Sequence, residues 1–415
     1  MSDPSKLRIP RLPLPESLRG LDKGSFTEYT VSVRLPDITR RVLQEREWSS
    51  EIAASLQALV DSIPNGIIRP LQDDGASEVA DWHRYMMPYL GQTWLQIPWL
   101  VAENYMFRRI LESTNYFRNG PEHGVDPYTS LKQQGMLAVP DTLIPLCAQL
   151  EAFSTQSRPD SQQTQEKFAE LLRMAVWGNQ ADLSVWWSED QEHPSRPENS
   201  DQTDHLLDDD SIEVSNYIGW LEKENVRVDF ILDNGGVELA YDLVLGDFLL
   251  SNTLAHTIYF HPRVHPTFVS DVTSQDVLET IKSLSVASNP GIRDLGLRWM
   301  DYITNERVYL TPDYFWTSPL CGWDMPDVLW DELSCSDLII SKGDINYRRW
   351  VGDRHWISTE PLEDVLSYAP APLLVLRVLK GETIVGLQPG QKEKLDRMEP
   401  QWMSNGNYGI IQFVR

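Results

Sequence analysis

The fold of this chain is decided by the stretch Val228-Asp-Phe-Ile-Leu-Asp-Asn-Gly-Gly-Val-Glu238. Residues 228–232 are mostly apolar and partly β-branched, which is typical of a buried strand, and the run stops at an acid, an amide and two glycines. Residues 237–250 carry apolar side chains at helical spacing. In open α/β sheets, ligands bind beyond the carboxyl ends of such strands. We therefore expect Asp233 and Asn234 to face a ligand, and their hard oxygen atoms suit a divalent cation.

The Asp-Asn-Gly-Gly run also has a simpler interpretation. These residue types are the usual ones in tight turns, so the run could serve only to reverse the chain. The stretch by itself does not separate the two interpretations, and the other acids and bases of the sequence must decide between them.

Length and charge limit the kind of protein. The 415 residues allow a large core in two closely packed parts, since single cores stop growing near ~250–300 residues. The net charge is −25, from 36 Lys and Arg against 61 Asp and Glu, and it repels nucleic acid and anionic membrane surfaces. We expect neither as a partner. A phosphorylated substrate would need local attraction from a metal ion or a few clustered Lys and Arg.

Cysteine usage and the N-terminus indicate the compartment. Cys147, Cys321 and Cys335 have neither CxxC spacing nor a nearby histidine pattern, so neither a disulfide framework nor a zinc site is indicated. The N-terminus lacks the apolar segment of a signal peptide, and no run reaches the ~18 apolar residues of a membrane span. We expect a soluble, cytoplasmic protein.

The sequence divides into four parts. Residues 1–24 are rich in proline and basic residues, as in an extended arm along the surface. Residues 25–187 carry apolar residues at spacings of three and four, which predicts a helical subdomain. Residues 188–212 are acidic and free of aromatic residues, which predicts a surface insertion without chemistry. Residues 213–415 are predicted to form an α/β core that packs with the helical part as one unit.

Strand patterns alternate with helical patterns after residue 213. This alternation predicts a parallel sheet with right-handed crossovers. The expected fold class is α/β, with a mostly parallel sheet flanked by helices in a Rossmann-like three-layer core and a helical N-terminal subdomain. The predicted strands are 228–232, 256–261, 337–341 and 372–379, and the predicted helices between them are 237–250, 275–285 and 361–368.

Asp271 is the candidate for a second carboxylate at the same site. Thr273 or Ser274 can cap the helix that begins near residue 275, which leaves Asp271 in the loop before it. In that loop it can bind a metal. A simple capping segment would require only Thr273 and Asp276, so spacing alone keeps both interpretations open.

Basic residues follow two further strands. Lys342-Gly-Asp-Ile-Asn-Tyr-Arg348 comes directly after a strand, and Lys342 as a point charge and Arg348 as a bidentate fork are natural phosphate ligands. Lys380 ends the most apolar strand. The alternatives are a solvated loop for the first run and a lysine that extends to water for the second. Asn179, just beyond a helical stretch, is explained equally well as a helix cap.

Taken together, these runs resemble the metal-dependent damage-control phosphatases, and within them the sugar-phosphate branch once described as protein carboxyl methyltransferases. The runs that carry the resemblance are Asp233-Asn-Gly-Gly-Val-Glu238, Val269-Ser-Asp271, Lys342-Gly-Asp-Ile-Asn-Tyr-Arg348 and Gly178-Asn-Gln-Ala-Asp182. It extends over nearly the whole chain and includes Arg34-Leu-Pro36, Trp99-Leu-Val-Ala-Glu103-Asn-Tyr-Met-Phe-Arg-Arg109 and Val385-Gly-Leu-Gln-Pro-Gly-Gln391. One departure is Arg377-Val378-Leu379-Lys380, where the branch has Arg-Thr-x-Lys.

The resemblance implies a cytosolic phosphatase that hydrolyses sugar phosphates such as fructose 1-phosphate with Mn²⁺, Co²⁺, Ni²⁺ or Mg²⁺. It implies that Asp233, Asn234 and Asp271 hold the metal, with the two aspartates as catalytic groups. The residues expected at the substrate are Glu238, Lys342, Asp344, Ile345, Asn346, Tyr347, Arg348 and Lys380. Glu103, Asn179 and Asp182 are expected next to them.

The expected chemistry is direct attack by water. The cation would bridge Asp233, Asn234, Asp271 and a phosphoryl oxygen, and would lower the pKa of a bound water. Lys342, Arg348 or Lys380 would balance the charge on the transferred group. The aspartyl-phosphatase pattern Asp-x-Asp-x-Thr/Val follows no predicted strand, which argues against a covalent phosphoenzyme.

Two other functions are compatible with a pocket of this kind. An S-adenosylmethionine-dependent protein carboxyl methyltransferase usually has a glycine-rich GxGxG loop after its first strand, and Gly235-Gly236 lacks that form. A non-catalytic sugar-phosphate sensor would not need a metal, and this chain retains all three expected metal ligands. Both features favour the phosphatase.

Overall fold

The strands of the core follow the expected alternation with helices. The computed structural model describes residues 8–155, 160–178, 205–221 and 223–415. Within these ranges seven strands form one sheet: β1 Leu206–Asp209, β2 Arg227–Ile231, β3 Thr257–His261, β4 Val308–Leu310, β5 Leu338–Lys342, β6 Leu373–Val378 and β7 Gly409–Val414. Their order is β1-β7-β6-β5-β2-β3-β4.

The sheet is mostly parallel and covered on both faces. β2 to β6 run parallel, whereas β7 is antiparallel to β6 and parallel to β1. Alternate strand residues enter two separate cores, because successive side chains point to opposite faces. Phe230, for example, belongs to one core and Ile231 to the other. The predicted α/β class is confirmed, and the four predicted strands correspond to β2, β3, β5 and β6.

Three strands, β1, β4 and β7, were not predicted. β1 lies inside residues 188–212, so the prediction of a surface insertion is wrong for its C-terminal end: β1 pairs with β7, and a helix begins at Ser211. As an edge strand, β1 buries its side chains only partly, and it therefore lacks the apolar pattern of a central strand. Residues 188–204 lie outside the described residues.

Helices make up most of the remaining described chain. They are α1 Phe26–Tyr29, α2 Leu35–Gln44, α3 Ser50–Ser62, α4 Val79–Met86, α5 Trp99–Ser113, α6 Thr129–Met136, α7 Val139–Thr155, α8 Ser161–Trp177, α9 Ser211–Gly219, α10 Val237–Ser251, α11 Ser274–Ser285, α12 Pro290–Thr304, α13 Asp327–Leu333, α14 Asp344–Val351, α15 Leu362–Val365 and α16 Gln391–Met398. A π-helix, Thr30–Arg34, joins α1 to α2.

The helical N-terminal part has its own core around α5. Every residue of α5 is buried, and its charged side chains are paired: Arg108 binds Asp74 and Glu78, and Arg109 binds Glu112. Such pairing is needed because an unpaired buried charge is costly. Glu103 lies on this same helix and points instead to the sheet part, as described below.

Residues 8–24 contain no helix and contact both parts of the chain. Ser17 forms a β-bridge with Arg354, and Arg19 forms one with Pro98. The segment thus ties the α/β core to the start of α5.

One helical stretch meets the size of a membrane span. Thr129–Ser154, which comprises α6 and most of α7, is 26 residues long. By length and composition only, it could cross a membrane. Of its 18-residue apolar window, 17% is buried within the protein. Val139, Leu143 and Leu146 of this stretch belong to the larger hydrophobic core.

The sheet order creates a crevice at one edge. The chain runs from β2 to β3 and β4 on one side of β2, and then crosses to β5 and β6 on its other side. Ligands of such sheets bind at the carboxyl ends of the two strands where the order reverses. In this protein those strands are β2 and β5.

Candidate active site

The loops after β2 and β3 pair with each other at this edge. Asn234 and Asp271 are partners in a β-bridge. The amide of Gly235 donates to the carbonyl of Ser270 at 2.8 Å, and the amide of Val272 donates to the carbonyl of Asp233 at 2.9 Å. This backbone pairing brings together the three residues predicted to hold a metal.

Arg263 supports both carboxylates from within the protein. Its Nε donates to Asp271 Oδ2 at 2.6 Å, and its Nη2 lies 3.8 Å from Asp233 Oδ1. The guanidinium also donates to the Trp316 carbonyl and to Asn346 Oδ1. A buried cation offsets the repulsion of two close carboxylates. Sequence reasoning missed Arg263, although a basic residue two positions after the end of β3 repeats the signal that singled out Lys342 and Lys380.

The amide of Asn234 is held in a defined orientation. Its Nδ2 donates to Asp233 Oδ2 at 2.8 Å and to Glu238 Oε2 at 2.9 Å. Its Oδ1 accepts a hydrogen bond from the Ser270 hydroxyl at 2.6 Å. A carbonyl oxygen has two lone pairs, so Oδ1 can bind a cation as well as the hydroxyl.

The turn after β5 requires glycine. Gly343 has φ +85 and ψ 169, a backbone conformation that residues with a side chain rarely adopt. A Cβ atom there would overlap Oδ2 and Cγ of Asp233. The absence of a side chain therefore lets the start of α14 lie directly against the Asp233 carboxylate.

A small cavity of about 60 Å³ opens at these loops. Eight of the predicted site residues line it: Glu103, Asp233, Asn234, Asp271, Asp344, Ile345, Arg348 and Lys380. Arg34, Trp99 and Phe268 also line it and were not predicted as site residues. Trp99 also belongs to the hydrophobic core of the helical part.

Arg348 lines the cavity while three of its nitrogens bind carboxylates. Its Nε and Nη2 donate to Asp353 at 3.0 and 2.8 Å, and its Nη1 donates to Glu103 at 2.7 Å. The guanidinium also stacks 3.5 Å from the ring centre of Trp99. Burial raises the pKa of Glu103 against the opposite effect of Arg348. This cluster joins α5 of the helical part to α14 of the sheet part.

Asp344 organises the loop that carries Lys380. Its Oδ1 accepts hydrogen bonds from Arg377 Nε at 2.7 Å and from the backbone amide of Lys380 at 3.0 Å. Val378, which replaces the threonine of the resembled signature, is fully buried in the sheet and belongs to the larger hydrophobic core. Val378 therefore contributes to the packing of β6 and does not line the cavity, so the missing threonine hydroxyl would not face the cavity either.

Four predicted substrate residues lie outside the cavity lining. Lys342 is fully buried, so the expectation that it binds phosphate there is not met. Asn346 donates to the carbonyls of Leu232 and Lys342, and the Tyr347 hydroxyl accepts from the amide of Val385. These two face inward because α14 turns only residues 344, 345 and 348 toward the cavity. Glu238 contacts Asn234 instead. Asn179 and Asp182 lie outside the described residues.

Lys342 forms a buried ionic cluster with Asp242 and Glu238, close to the proposed metal ligands. Its Nζ lies 2.8 Å from Asp242 Oδ1 and 3.3 Å from Glu238 Oε1, and it donates to the Ala175 carbonyl at 3.2 Å. One cation between two carboxylates leaves an excess negative charge. Burial, together with Glu238, raises the pKa of Asp242 to about 7, although Lys342 acts in the opposite direction.

The Asp242 cluster predicts a pH dependence of stability. An unfolded aspartate titrates near ~4, so the folded state binds this proton more tightly. The stabilisation is complete below that pH and is lost as the pH rises to about 7. We expect Asp242→Asn to flatten the decline between these values, measured by urea unfolding at several pH values. Asp301→Asn, at an exposed site on α12, serves as the control, and an unchanged slope in Asp242→Asn would contradict the assignment.

The residues at the cavity fit a hard divalent cation. Asp233 and Asp271 offer carboxylate oxygens and Asn234 offers an amide oxygen, which are the ligands that Mg²⁺ and Mn²⁺ prefer. Among the described residues, no group of three or more His, Cys, Asp and Glu is arranged to hold a metal. Asp233, Asn234 and Asp271 contain only two residues of these types, because the third ligand is an amide. They therefore remain the candidate metal site.

Comparison with known proteins agrees over nearly the full length. The model of the damage-control phosphatase ARMT1-like domain matches residues 30–395. Damage-control phosphatase ARMT1 of Danio rerio is 35% identical over 96% of this chain and 97% of its own. The proteins of that name from Bos taurus and Homo sapiens are 34% and 32% identical, each over 96% of this chain and 98% of its own.

Similarity to solved structures is weaker. A DUF89 family protein from Pyrococcus horikoshii superposes with a TM-score of 0.42 at 12% identity, over 91% of this chain and 95% of that one. A likeness at this level supports no argument about function. The family match and the full-length relatives are sufficient: the chain belongs to the damage-control phosphatase ARMT1-like domain family.

Proposed function

We propose that the protein is a cytoplasmic, metal-dependent phosphatase that hydrolyses phosphomonoesters of small sugars, such as fructose 1-phosphate, in metabolite damage control. Family membership supports phosphatase activity. The observation that carries the proposal is the convergence of Asp233, Asn234, Asp271 and Lys380 on one cavity. Proposed metal ligands and a cation that can bind phosphate thereby line one cavity.

Asp233, Asn234 and Asp271 would hold the cation, which we propose is Mn²⁺, Co²⁺, Ni²⁺ or Mg²⁺. When bound, a divalent cation supplies neutralisation of phosphoryl charge and activation of water. Arg263 and Ser270 orient the ligand atoms, since they hold Asp271 Oδ2 and Asn234 Oδ1. These contacts set the orientations of the Asp271 carboxylate and the Asn234 amide.

Phosphoryl transfer depends mainly on positioning and charge balance. Lys380, which lines the same cavity as the proposed metal ligands, would stabilise the negative charge on the transferred group. Asp271 or Asp344 would accept the proton of the attacking water; Arg377 and the Lys380 amide hold Oδ1 of Asp344 and so orient its Oδ2. Trp99 and Phe268 reduce the access of bulk water to this space.

Lys380→Ala should lower the rate of phosphate release by ~10²-fold, or about 3 kcal/mol, because one cation that stabilises the transition state is lost. The measurement is kcat and KM with fructose 1-phosphate and Mn²⁺. Lys394→Ala, an exposed lysine on α16, is the matched control and should behave as the wild type. Equal rates in the two variants would remove Lys380 from the proposed mechanism.

Phosphate release from a panel of sugar phosphates tests the function itself. We expect release with Mn²⁺ and its loss with a chelator. Release that persists with the chelator would contradict the metal dependence. No release from any member, together with methyl transfer from S-adenosylmethionine to protein carboxylates, would reverse the proposal in favour of the methyltransferase.

A further inference from the structure

Arg34 brings the helical N-terminal part into the active-site cavity. It lines the cavity together with Asp233 and Lys380, and it is the last residue of the π-helix Thr30–Arg34. π-helical turns are rare and occur frequently at functional sites. The neighbouring Val31 and Leu35 are buried in the helical core, so the backbone that carries Arg34 is firmly placed.

The segment that carries Arg34 is attached to the loop that carries Lys380. The Glu382 carboxylate accepts hydrogen bonds from the backbone amides of Phe26 and Thr27 at 2.8 and 2.9 Å, and from the Thr27 hydroxyl at 2.7 Å. Amides at a helix start favour a negative partner. Because Glu382 follows Lys380 closely, this contact links the helical segment that precedes Arg34 to the loop that carries Lys380.

The charges at the cavity leave a role for Arg34. Its lining contains the carboxylates of Glu103, Asp233, Asp271 and Asp344 and the cations Arg34, Arg348 and Lys380. Arg348 already uses three nitrogens on Asp353 and Glu103. A phosphate monoester brings up to two further negative charges. Arg34 and Lys380 line this cavity together with the proposed metal ligands, and a guanidinium has five N–H donors, so it can bind a phosphate oxygen in addition to partners within the protein.

The charge of Arg34 also affects the pKa of Glu103, a carboxylate that lines the cavity. Burial raises the pKa of Glu103, while Arg348 and, to a smaller extent, Arg34 act to lower it. The guanidinium of Arg34 is thus close enough to influence a carboxylate that lines the cavity.

We propose that Arg34 binds phosphoryl oxygens of the substrate, so that the helical part supplies a phosphate ligand to the active site. The inference rests on the proposed phosphatase function. A guanidinium presents its donors in a planar fork that matches two phosphate oxygens. The helical part then has a direct role in binding, in addition to covering the sheet edge.

Variants at Arg34 test this with inorganic phosphate as the probe. We expect Arg34→Ala to raise both the KM for fructose 1-phosphate and the inhibition constant of inorganic phosphate by roughly ten- to hundredfold. Arg34→Lys should recover part of both. Arg40→Ala is the control and should match the wild type, because Arg40 is exposed and pairs with Asp37 on the same helix.

The two measurements separate phosphate from sugar contacts. A raised KM with unchanged phosphate inhibition would overturn the inference, since Arg34 would then contact the sugar. Unchanged values of both would overturn it as well. Circular dichroism checks the fold, and Arg34→Gln replaces the alanine variant if alanine unfolds the protein.

A binding measurement keeps the inference separate from the proposed function. Inorganic phosphate is titrated calorimetrically into the wild type and Arg34→Ala, each with Mn²⁺. If the wild type hydrolyses no sugar phosphate, the proposed function fails, whereas weaker phosphate binding by Arg34→Ala still supports Arg34 as a phosphate ligand. Equal binding by the two proteins overturns that assignment.

Discussion

Asp233→Ala is expected to abolish metal-dependent phosphate release while the protein stays folded. The substitution removes a carboxylate from the proposed metal site and leaves Asn234 Nδ2 without one of its two acceptors. Loss of a metal ligand should lower kcat/KM by at least ~10³-fold, or about 4 kcal/mol. Mn²⁺ binding, measured by calorimetry, should weaken in parallel.

The control for this variant is Asp301→Ala, which removes an exposed aspartate from α12 and should leave both activity and metal binding unchanged. Asp233→Asn keeps the shape of the side chain and separates loss of charge from loss of packing. Full metal-dependent turnover by Asp233→Ala would show that the site lies elsewhere.

Gly343→Ala is expected to inactivate the protein nearly as completely, although it adds a single methyl group. The new Cβ would overlap the Asp233 carboxylate, so either that carboxylate or the start of α14 must move. The positive φ adds backbone strain of about 1–3 kcal/mol. We expect a loss of activity of at least ~10²-fold, since small displacements of catalytic groups have effects of this size.

Gly390→Ala distinguishes the two causes. Gly390 also has positive φ, and a Cβ there would meet nothing within 4 Å. This variant should lose some stability in thermal unfolding and keep its activity. If Gly343→Ala behaves in the same way as Gly390→Ala, the close contact between residue 343 and the Asp233 carboxylate does not affect activity.

The fold of the sheet part could be predicted because each central strand is marked by a local sequence pattern. A central parallel strand is a short apolar run, and β2, β3, β5 and β6 were found for this reason. β1 and β4 are edge strands with partly buried side chains, and their pattern is correspondingly weak. α12 was missed although it carries a local signal, since Asn289 caps it and Pro290 is its first residue.

The proposed metal ligands could be predicted from the sequence for a similar reason. Asp233 and Asn234 directly follow a strand, and parallel strands end at the same edge of a sheet. Residues that follow strands were therefore expected to meet, and Asp271, Asp344 and Lys380 do lie at the same cavity.

Contacts across long sequence distances could not be read in this way. Arg348 binds Glu103, which is 245 positions away, and neither side chain carries a local sign of the other. The same holds for Arg34 and Trp99, which come from the helical part. Lys342 had the right position after a strand, but the direction of its side chain depended on Asp242 and Glu238 of α10.

The sequence by itself thus determined the α/β class, the central strands and the sheet edge at which the candidate site residues gather, because periodicity and strand ends record how each element meets the core. The tertiary structure alone decided which side chains share the cavity. That choice depends on the rotation of α14, the close approach at Gly343 and the packing of the helical part against the sheet edge. These are properties of contacts between elements, and no single segment of the chain encodes them.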